Sequence, residues 1–446
     1  MSGETPTNTG FDPQTITGEG GVFVSGAGHV KVELTSDRFL PQTEWHINAL
    51  TGSNRNSGLT AATAIRTWAE LRRRLGHGPI THQTVVNIDS DLTENIIIDF
   101  ELEVGLAAGL IVQGQRTVLR SGTLTNVTPY DAPTNVVGSL GDAALPGSWT
   151  AEGLVGKLMV LTGRPVSDPL IGPPTGFIAK DLGVVLGVQT ARFSPTLDIV
   201  TFAGNTPTDP LVGDAYSVVD LTKIHGFVRC QTTGGSGLLI QNLEIDGVND
   251  EPNGSQSLTH QSGFMFPVNC VFSGAGDVLV VGGIVENDFS VCRFKNQLLA
   301  ESGQTFCEGT LHEGRLTAID PECRLTVANP CLRQGDAAGG SVGITSRRGA
   351  LLDVQAPLAV CDVDVGASCA PGSQVDLEDI LFGTGVALVG VEVDSYGVVF
   401  FDPALAPSMT PTATSQVLVG STPKTYGTIP FIEAATNAGV VIKQGY

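Results

Sequence analysis

Charge is scarce in this 446-residue chain, and what there is leans to one sign: only 15% of residues are charged, 45 acidic against 24 basic, for a formal net charge of −21. Such a surface repels a nucleic-acid duplex or an anionic membrane, so neither is expected as a partner. No apolar run is long enough to span a bilayer, and membrane insertion is not expected. The N-terminus, Met1 to Pro6, lacks the basic flank and apolar core of a secretory signal. The expectation is therefore folding in the cytoplasm of the producing cell. The eight cysteines lie between Cys230 and Cys369 with no CxxC pair, and the seven histidines are scattered. That excludes a zinc pattern, and without export the cysteines read as buried thiols rather than disulfides. Gly18-Glu19-Gly20-Gly21 has neither the lysine nor the helix of a phosphate loop. Arg72-Arg73-Arg74 falls in a helical pattern and reads as a solvated face.

Turn residues are plentiful. With 56 glycines, 25 prolines and 41% hydrophobic residues, the composition describes many short strands and many turns. One stretch, Ile240 to Gly247, is echoed twice, at Val268 to Gly274 and Val291 to Asn296. In each, an apolar residue (Leu243, Cys270, Cys292) is followed two positions on by a larger one (Ile245, Phe272, Phe294), and two further by Gly247, Gly274 or Asn296. This is strand alternation ending in a turn. The offsets, 270 − 243 = 27 and 292 − 270 = 22, fall in the range of roughly 20 to 50 residues of solenoid repeats. Stacked in register, each unit covers its neighbour's apolar row. The spacing predicts a parallel β-helix, with a sandwich as the alternative that three units leave open.

Residues 1–44 read as a leader with a strand pair, Gly21 to Val24 and His29 to Leu34. From Trp45 comes an extended segment, then the polar turn Leu50-Thr51-Gly52-Ser53-Asn54-Arg55-Asn56-Ser57-Gly58, then a helix with Ile65, Trp68, Leu71 and Leu75 on one face. Thr60 or Thr63 is expected to cap its start and Gly76 its end. First rungs follow at Thr84 to Ile88, Asn95 to Asp99 and Leu110 to Gly114, closing a segment 45–124. Residues 125–222 become proline-rich loops between isolated strands and read as an inserted β module of barrel or sandwich type. The coil pattern resumes over 223–402, and 403–446 reads as a C-terminal cap or assembly segment.

The segment from Trp45 to Ile65 resembles the opening of right-handed parallel β-helix domains of the pectate-lyase-like type, as found in phage tailspikes, other phage structural proteins, and secreted polysaccharide lyases and hydrolases. The order of strands in 125–222 is similar to a small module inserted in phage structural proteins. The resemblance implies an all-β, right-handed, single-stranded parallel β-helix with a short N-terminal capping helix and an inserted β domain. It also implies a virion protein, a tail spike or fibre or a capsid decoration, that attaches to the host surface. Its partners would be other virion proteins through the N-terminal segment, host surface polysaccharide, and two further copies of itself in a homotrimer. The apolar stretches Val398 to Phe401 and Pro430 to Ile432 are the expected trimer contacts.

Catalysis on such a fold needs grouped carboxylates. Asp246, Asp250 and Glu251 lie at and after one turn, and Glu286 and Asp288 before the next rung, so the two groups could meet after one coil. Turn chemistry alone favours acids there. No polygalacturonase-like or lyase-like motif accompanies them, and His77, His225, His260 and His312 sit in no nucleophile signature. Those histidines are expected to be structural. No catalytic, cofactor or metal residue is therefore assigned. The alternative function is a polysaccharide-degrading hydrolase or lyase acting on host glycans.

Overall fold

The structure is a computed structural model. It describes residues 43–128 and 212–401, short gaps aside, and strand segments at 21–24, 30–33, 138–142, 157–163, 180–191, 194–199, 415–419, 422–424 and 441–444.

The chain winds as a parallel β-helix with three lateral faces. One coil places Gly237–Gln241 on the first face and Leu243–Ile245 on the second. The long strand Leu258–Val268 then covers the third face with residues 258–260 and returns to the first with 263–268, bending at Gly263, whose φ is +92°. The next coil continues through Val271–Phe272 and Val278–Val280, and the one after through Val285–Ser290, Arg293–Phe294 and Leu298–Ala300. Each strand pairs in parallel with its equivalent one coil away, and the first-face ladder runs on to Val398–Phe401 and Val441–Gln444. Parallel sheets form only where both their faces are covered or one encloses a core, which a closed coil supplies.

Inside, the expected stacking holds. Phe272 pairs in register with Phe294, and their rings stack with centroids 5.0 Å apart. The inward row on this face reads Ile224, Ile245, Phe272, Phe294, His312 by register, and all five are buried. Phe289 from the first face packs edge-on against both stacked phenylalanines, closing the aromatic centre. Cys270 and Cys292 are buried one coil apart, and six cysteines (Cys230, Cys270, Cys292, Cys307, Cys323 and Cys369) are free thiols in the core. Burial pushes the Cys292 thiol well up and that of Cys323 to about 12, so these sulfurs behave as small hydrophobes.

The corners explain the turn residues of the repeat. Asn242 and Asn269 begin the second face with φ of 58° and 54°, the left-handed region asparagine tolerates. At the far corner Gly247 and Gly274 stack: Gly247 has φ 65°, and a Cβ on Gly274 would lie 2.2 Å from the Asp246 carbonyl oxygen. Only glycine permits that approach. Asn296, next in the stack, donates from Nδ2 to the Gly274 carbonyl.

A helix, Trp68–Leu75, closes the N-terminal end, burying Trp68 and Leu71 against the core cluster that contains Ile80, Phe100 and Leu102. Its N-cap is Thr67, whose hydroxyl accepts from the Glu70 amide; Thr60 instead caps the short 3-10 turn Ala61–Thr63. The expected cap at Thr60 or Thr63 is thus corrected, because Ile65 bridges to strand residue Ile47 and delays the helix by a few residues. Gly76 ends the helix as expected, with φ 74°. The arginine triplet is not merely solvated: Arg74 donates to the Asn54, Asn56 and Ser57 carbonyls, and Arg72 pairs with Asp99. Arg73 and Arg74 hold the Glu70 carboxyl down at about 2.

Between the second coil's first-face strand, Ala108–Gly114, and its second face, antiparallel strands branch off. Arg116–Thr123 pairs with residues 215–221 of Ala215–Ile224, which pairs on its other side with Leu158–Gly163 and continues as 222–224 into the parallel second face. Further antiparallel pairings join Lys180–Ala191, Ser194–Ile199, Gly138–Gly141 and Asn126–Thr128. The N-terminal pair is present as Gly21–Val24 antiparallel to Val30–Glu33. His77, Trp149, and Pro430 to Ile432 lie outside the described residues.

Candidate functional site

Along the first face, strand alternation sends every second side chain away from the core. On residues 263–268, Met265 is buried while Phe264, Phe266 and Val268 are half-buried; on Gln304–Glu308, Thr305 and Cys307 are buried while Phe306 is half-buried and Gln304 exposed. Register lines these up across coils. Phe264 pairs with Glu286 and Glu286 with Gln304; Asp288 pairs with Phe306, and the row continues through Thr326, Asp353 and Asp376. The strand carrying Glu286 and Asp288 therefore lies between one bearing Phe264 and Phe266 and one bearing Gln304 and Phe306. Equivalent positions on neighbouring strands repeat at about 4.8 Å.

Towards the N-terminal end the same face carries an amide ladder. Gln241 Nε2 donates to Gln113 Oε1 at 2.6 Å, Gln113 Nε2 to Asn87 Oδ1 at 2.5 Å, and Asn87 Nδ2 to Glu44 Oε1 at 2.7 Å. His46 Nδ1 lies 2.9 Å from Asp89 Oδ2, whose other oxygen accepts from Gln115. Each amide spans two coils, so the ladder both stiffens the face and leaves a line of hydrogen-bonding edges on it.

The second face carries a different arrangement. The antiparallel strands lie over it, where Leu158, Val160, Val219 and Leu221 enclose Val271. Around this contact run ion pairs: Lys157 with Asp220 at 2.5 Å, Lys223 with Glu244 at 3.1 Å, and Arg293 with Glu313 at 2.6 Å. Ser273 donates to Glu244, and Lys223 helps hold that carboxyl below its ordinary value despite burial. The first of these ion pairs lies within the inserted strands and the other two within the second face, so the contact between the two layers is the apolar cluster itself.

The acids singled out by sequence do not come together. Asp246 is nearly buried at the second corner, where Oδ2 lies 2.7 Å from His225 Nδ1 and Oδ1 accepts from the Val248 amide. Glu286 and Asp288 belong to a first-face strand, whereas Asp246 follows the second-face strand Leu243–Ile245 more than one coil earlier, so the expected meeting is corrected: the groups stand on different faces. Asp250 and Glu251 lie outside the described residues. His260 is fully buried with Nε2 2.8 Å from the Ser262 carbonyl, and His312 is a core residue. No cluster of metal-ligating side chains occurs among the described residues, and none of their helices is long and apolar enough to cross a membrane. Sequence reading missed the first-face aromatics, although the every-second-residue pattern Phe264-Met265-Phe266 signals rings pointing away from a buried methionine.

The chain matches no known family pattern and no curated protein by sequence. Among solved structures it is similar to XylC with xylose, at 8% identity and a TM-score of 0.30 over 81% of this chain and 75% of that one. It is also similar to the Gp54 tailspike of Acinetobacter baumannii bacteriophage AP22 in complex with capsular saccharide, at 11% identity and a TM-score of 0.20 over 80% of this chain and 74% of that one. A third is the tailspike protein gp49 from Pseudomonas phage LKA1, at 12% identity and a TM-score of 0.26 over 82% of this chain and 73% of that one. At these scores the assignment of a parallel β-helix rests on this chain's own strand pairings.

Proposed function

We propose that the chain is a virion attachment protein, a phage tail spike or fibre, whose β-helix binds host-surface carbohydrate along its first face. The observation that carries this reading is the set of half-exposed rings, Phe264, Phe266 and Phe306, held on a rigid lateral ladder among hydrogen-bonding side chains. Sugars present apolar C–H faces and hydroxyl edges, and a surface of aromatic platforms interleaved with amides and carboxylates matches both. Rigid strands place those groups without an ordering cost on binding. In the same reading the chain forms a homotrimer and docks to other virion proteins through residues 1–44.

The test is binding of the purified protein to polysaccharide from candidate hosts by affinity electrophoresis, with Phe266→Ala and Phe306→Ala alongside. The reading expects retardation by at least one host glycan, reduced about tenfold or more by either substitution, since a lost aromatic contact at the centre of a binding surface typically exceeds 1 kcal/mol. Retardation unchanged in both variants would refute the first face as the site.

A second reading, glycan cleavage, is favoured by one observation: Glu286 and Asp288 stand two residues apart on the strand between the aromatic positions. A pair of carboxylic acids is what glycoside hydrolysis uses.

A further inference from the structure

We infer that the N-terminal end of the solenoid, the turn 50–59 with the cap helix beside it, is a docking surface for an acidic segment of another protein, one that presents carboxylates together with apolar side chains. The inference goes beyond the carbohydrate reading of the first face and does not depend on it. Charge is the first observation. Between residues 45 and 83 stand five arginines, Arg55, Arg66, Arg72, Arg73 and Arg74, with no lysine and a single carboxylate, Glu70. In a chain of −21 this is a local reversal of sign. Charges beyond a Debye length of about 8 Å are largely screened at physiological salt, so a partner in contact reads the local sign rather than the total.

Three of the five are used within the chain, Arg72 on Asp99 and both Arg73 and Arg74 on Glu70. Arg55 and Arg66 are not: both are exposed, and neither pairs with a carboxylate among the described residues. Their backbones are also tied together. The Asn54 side chain accepts from the Arg66 amide at 2.9 Å and donates to the Thr67 hydroxyl at 3.1 Å, while the Asn54 carbonyl accepts from Arg74 Nη2 at 2.7 Å. The Ser53 and Gly58 amides donate to the Ala64 and Thr63 carbonyls, so the turn and the helix entry are knitted into one piece. Guanidinium groups on a backbone so fixed suit carboxylates, which they grip bidentately.

Exposed apolar side chains are the second observation. Leu50 is 82% exposed and Leu59 53%, and both belong to this turn. Arginine is enriched and lysine depleted at protein contacts, and uncovered apolar side chains beside it need a partner that covers them. A nucleic acid offers phosphates but nothing to cover the leucines. An anionic bilayer is read by clusters of roughly four to eight cations, more than the two unpaired ones here. An acidic protein segment with apolar side chains meets both requirements. Residues 1–44, proposed above for docking to virion proteins, lead straight into this turn through Thr43–Ile47.

The experiment selects peptides from a random display library on the immobilised full chain, then measures retention of the enriched peptides, and of vesicles containing phosphatidylserine, at about 50 and 300 mM salt. Enriched peptides should carry several Asp or Glu with Leu, Ile or Phe among them, and should weaken several-fold at the higher salt. The double variant Arg55→Glu, Arg66→Glu should retain them about tenfold less, and the double variant Leu50→Ala, Leu59→Ala several-fold less. Arg347→Glu reverses an exposed charge on a later coil and should leave retention unchanged. All these side chains are exposed, so thermal unfolding of each variant should match that of the natural chain. No enrichment, enriched peptides without acidic residues, or an equal loss with Arg347→Glu would overturn the inference. Vesicles retained in preference to the peptides would overturn it too, assigning the surface to lipid. Each of these outcomes leaves glycan binding by the first face untouched.

Discussion

The imidazole of His312 lies flat against the ring of Phe294, centroids 4.7 Å apart and planes within 2° of parallel. A histidine thus takes a slot that the two preceding coils fill with Phe272 and Phe294. Its Nε2 is 2.9 Å from the equally buried Thr310 Oγ1, and Nδ1 has no partner. Burial depresses its pKa to about 3, so it stays neutral in the folded chain.

That depressed value has a sign in pH. Between about 3 and the ordinary 6.5 the unfolded chain binds a proton that the folded chain does not, so the stability present above 6.5 falls as pH drops through this window. His312→Phe should remove this part of the acid sensitivity, leaving a difference of a few kcal/mol between variant and natural protein near pH 4 and little near pH 8. Urea unfolding at both pH values measures it. A variant whose loss on acidification parallels that of the natural protein would contradict the assignment.

Truncating the centre of the same row should be costly. Phe294→Ala removes a ring that contacts Phe272, Phe289 and His312 at once, and about 3–5 kcal/mol is expected. Cys292→Ser should cost less, about 1–3 kcal/mol, because the shorter C–O bond draws the donor away from the Pro267 carbonyl that the thiol now reaches at 3.4 Å. Thermal unfolding of both variants gives the order; equal losses would argue against it.

The solenoid was legible because its inward residues alternate so plainly around Cys270, Phe272, Cys292 and Phe294, and because glycine marks the tight corner. His312 was not legible as a ladder member. Leu311-His312-Glu313 reads as a polar turn, and only the register with Arg293-Phe294 turns the imidazole inward. Arg74 was misread for a related reason: helical spacing locates it on a face but is silent about a turn eighteen residues earlier whose carbonyls need a donor. The candidate surface was hidden because its rings come from separate coils, and one sequence does not reveal which coils are neighbours.

Arg74 offers a sharper test than its exposed neighbour. Arg74→Ala leaves three carbonyls of the turn without their donor and should destabilise by about 1–3 kcal/mol, whereas Arg73→Ala at a solvent-exposed position should change little. Protease cleavage in residues 50–58 should rise for the first variant only.

The carboxylates of the first face separate attachment from cleavage. If the chain cuts its glycan, Glu286→Gln or Asp288→Asn should abolish oligosaccharide release by at least about a thousandfold while binding persists, the expected behaviour of an acid or nucleophile in glycoside hydrolysis. If it only attaches, the natural protein releases nothing under the same conditions. Chromatography of the soluble products decides.

Assembly has an equally direct readout. The homotrimer expects a mass of about three times 46.3 kDa in sedimentation equilibrium at micromolar concentration. The monomer mass would refute it. Register places Val399 in line with buried Val375, and Phe400 in line with Asp376, so Phe400→Asp is the substitution expected to dissociate the trimer.

The two ends of the inserted strands meet. Thr222 accepts from the Gln115 amide at 2.8 Å and donates back to its carbonyl at 3.1 Å, across 107 residues of chain. Later coils close contacts between residues only about a coil apart in sequence, as where Phe294 meets His312. Loop-closure entropy rises with the length enclosed, so the order of events in time is set by this one seam. The coils after residue 222 can zip against one another while the long excursion is still being gathered in. The N-terminal strands also pair locally, Thr43–Ile47 with Thr84–Ile88 and that strand with residues 110–114, so it is the pairing of this end with the later coils that waits on the seam, and there that a folding chain would stall.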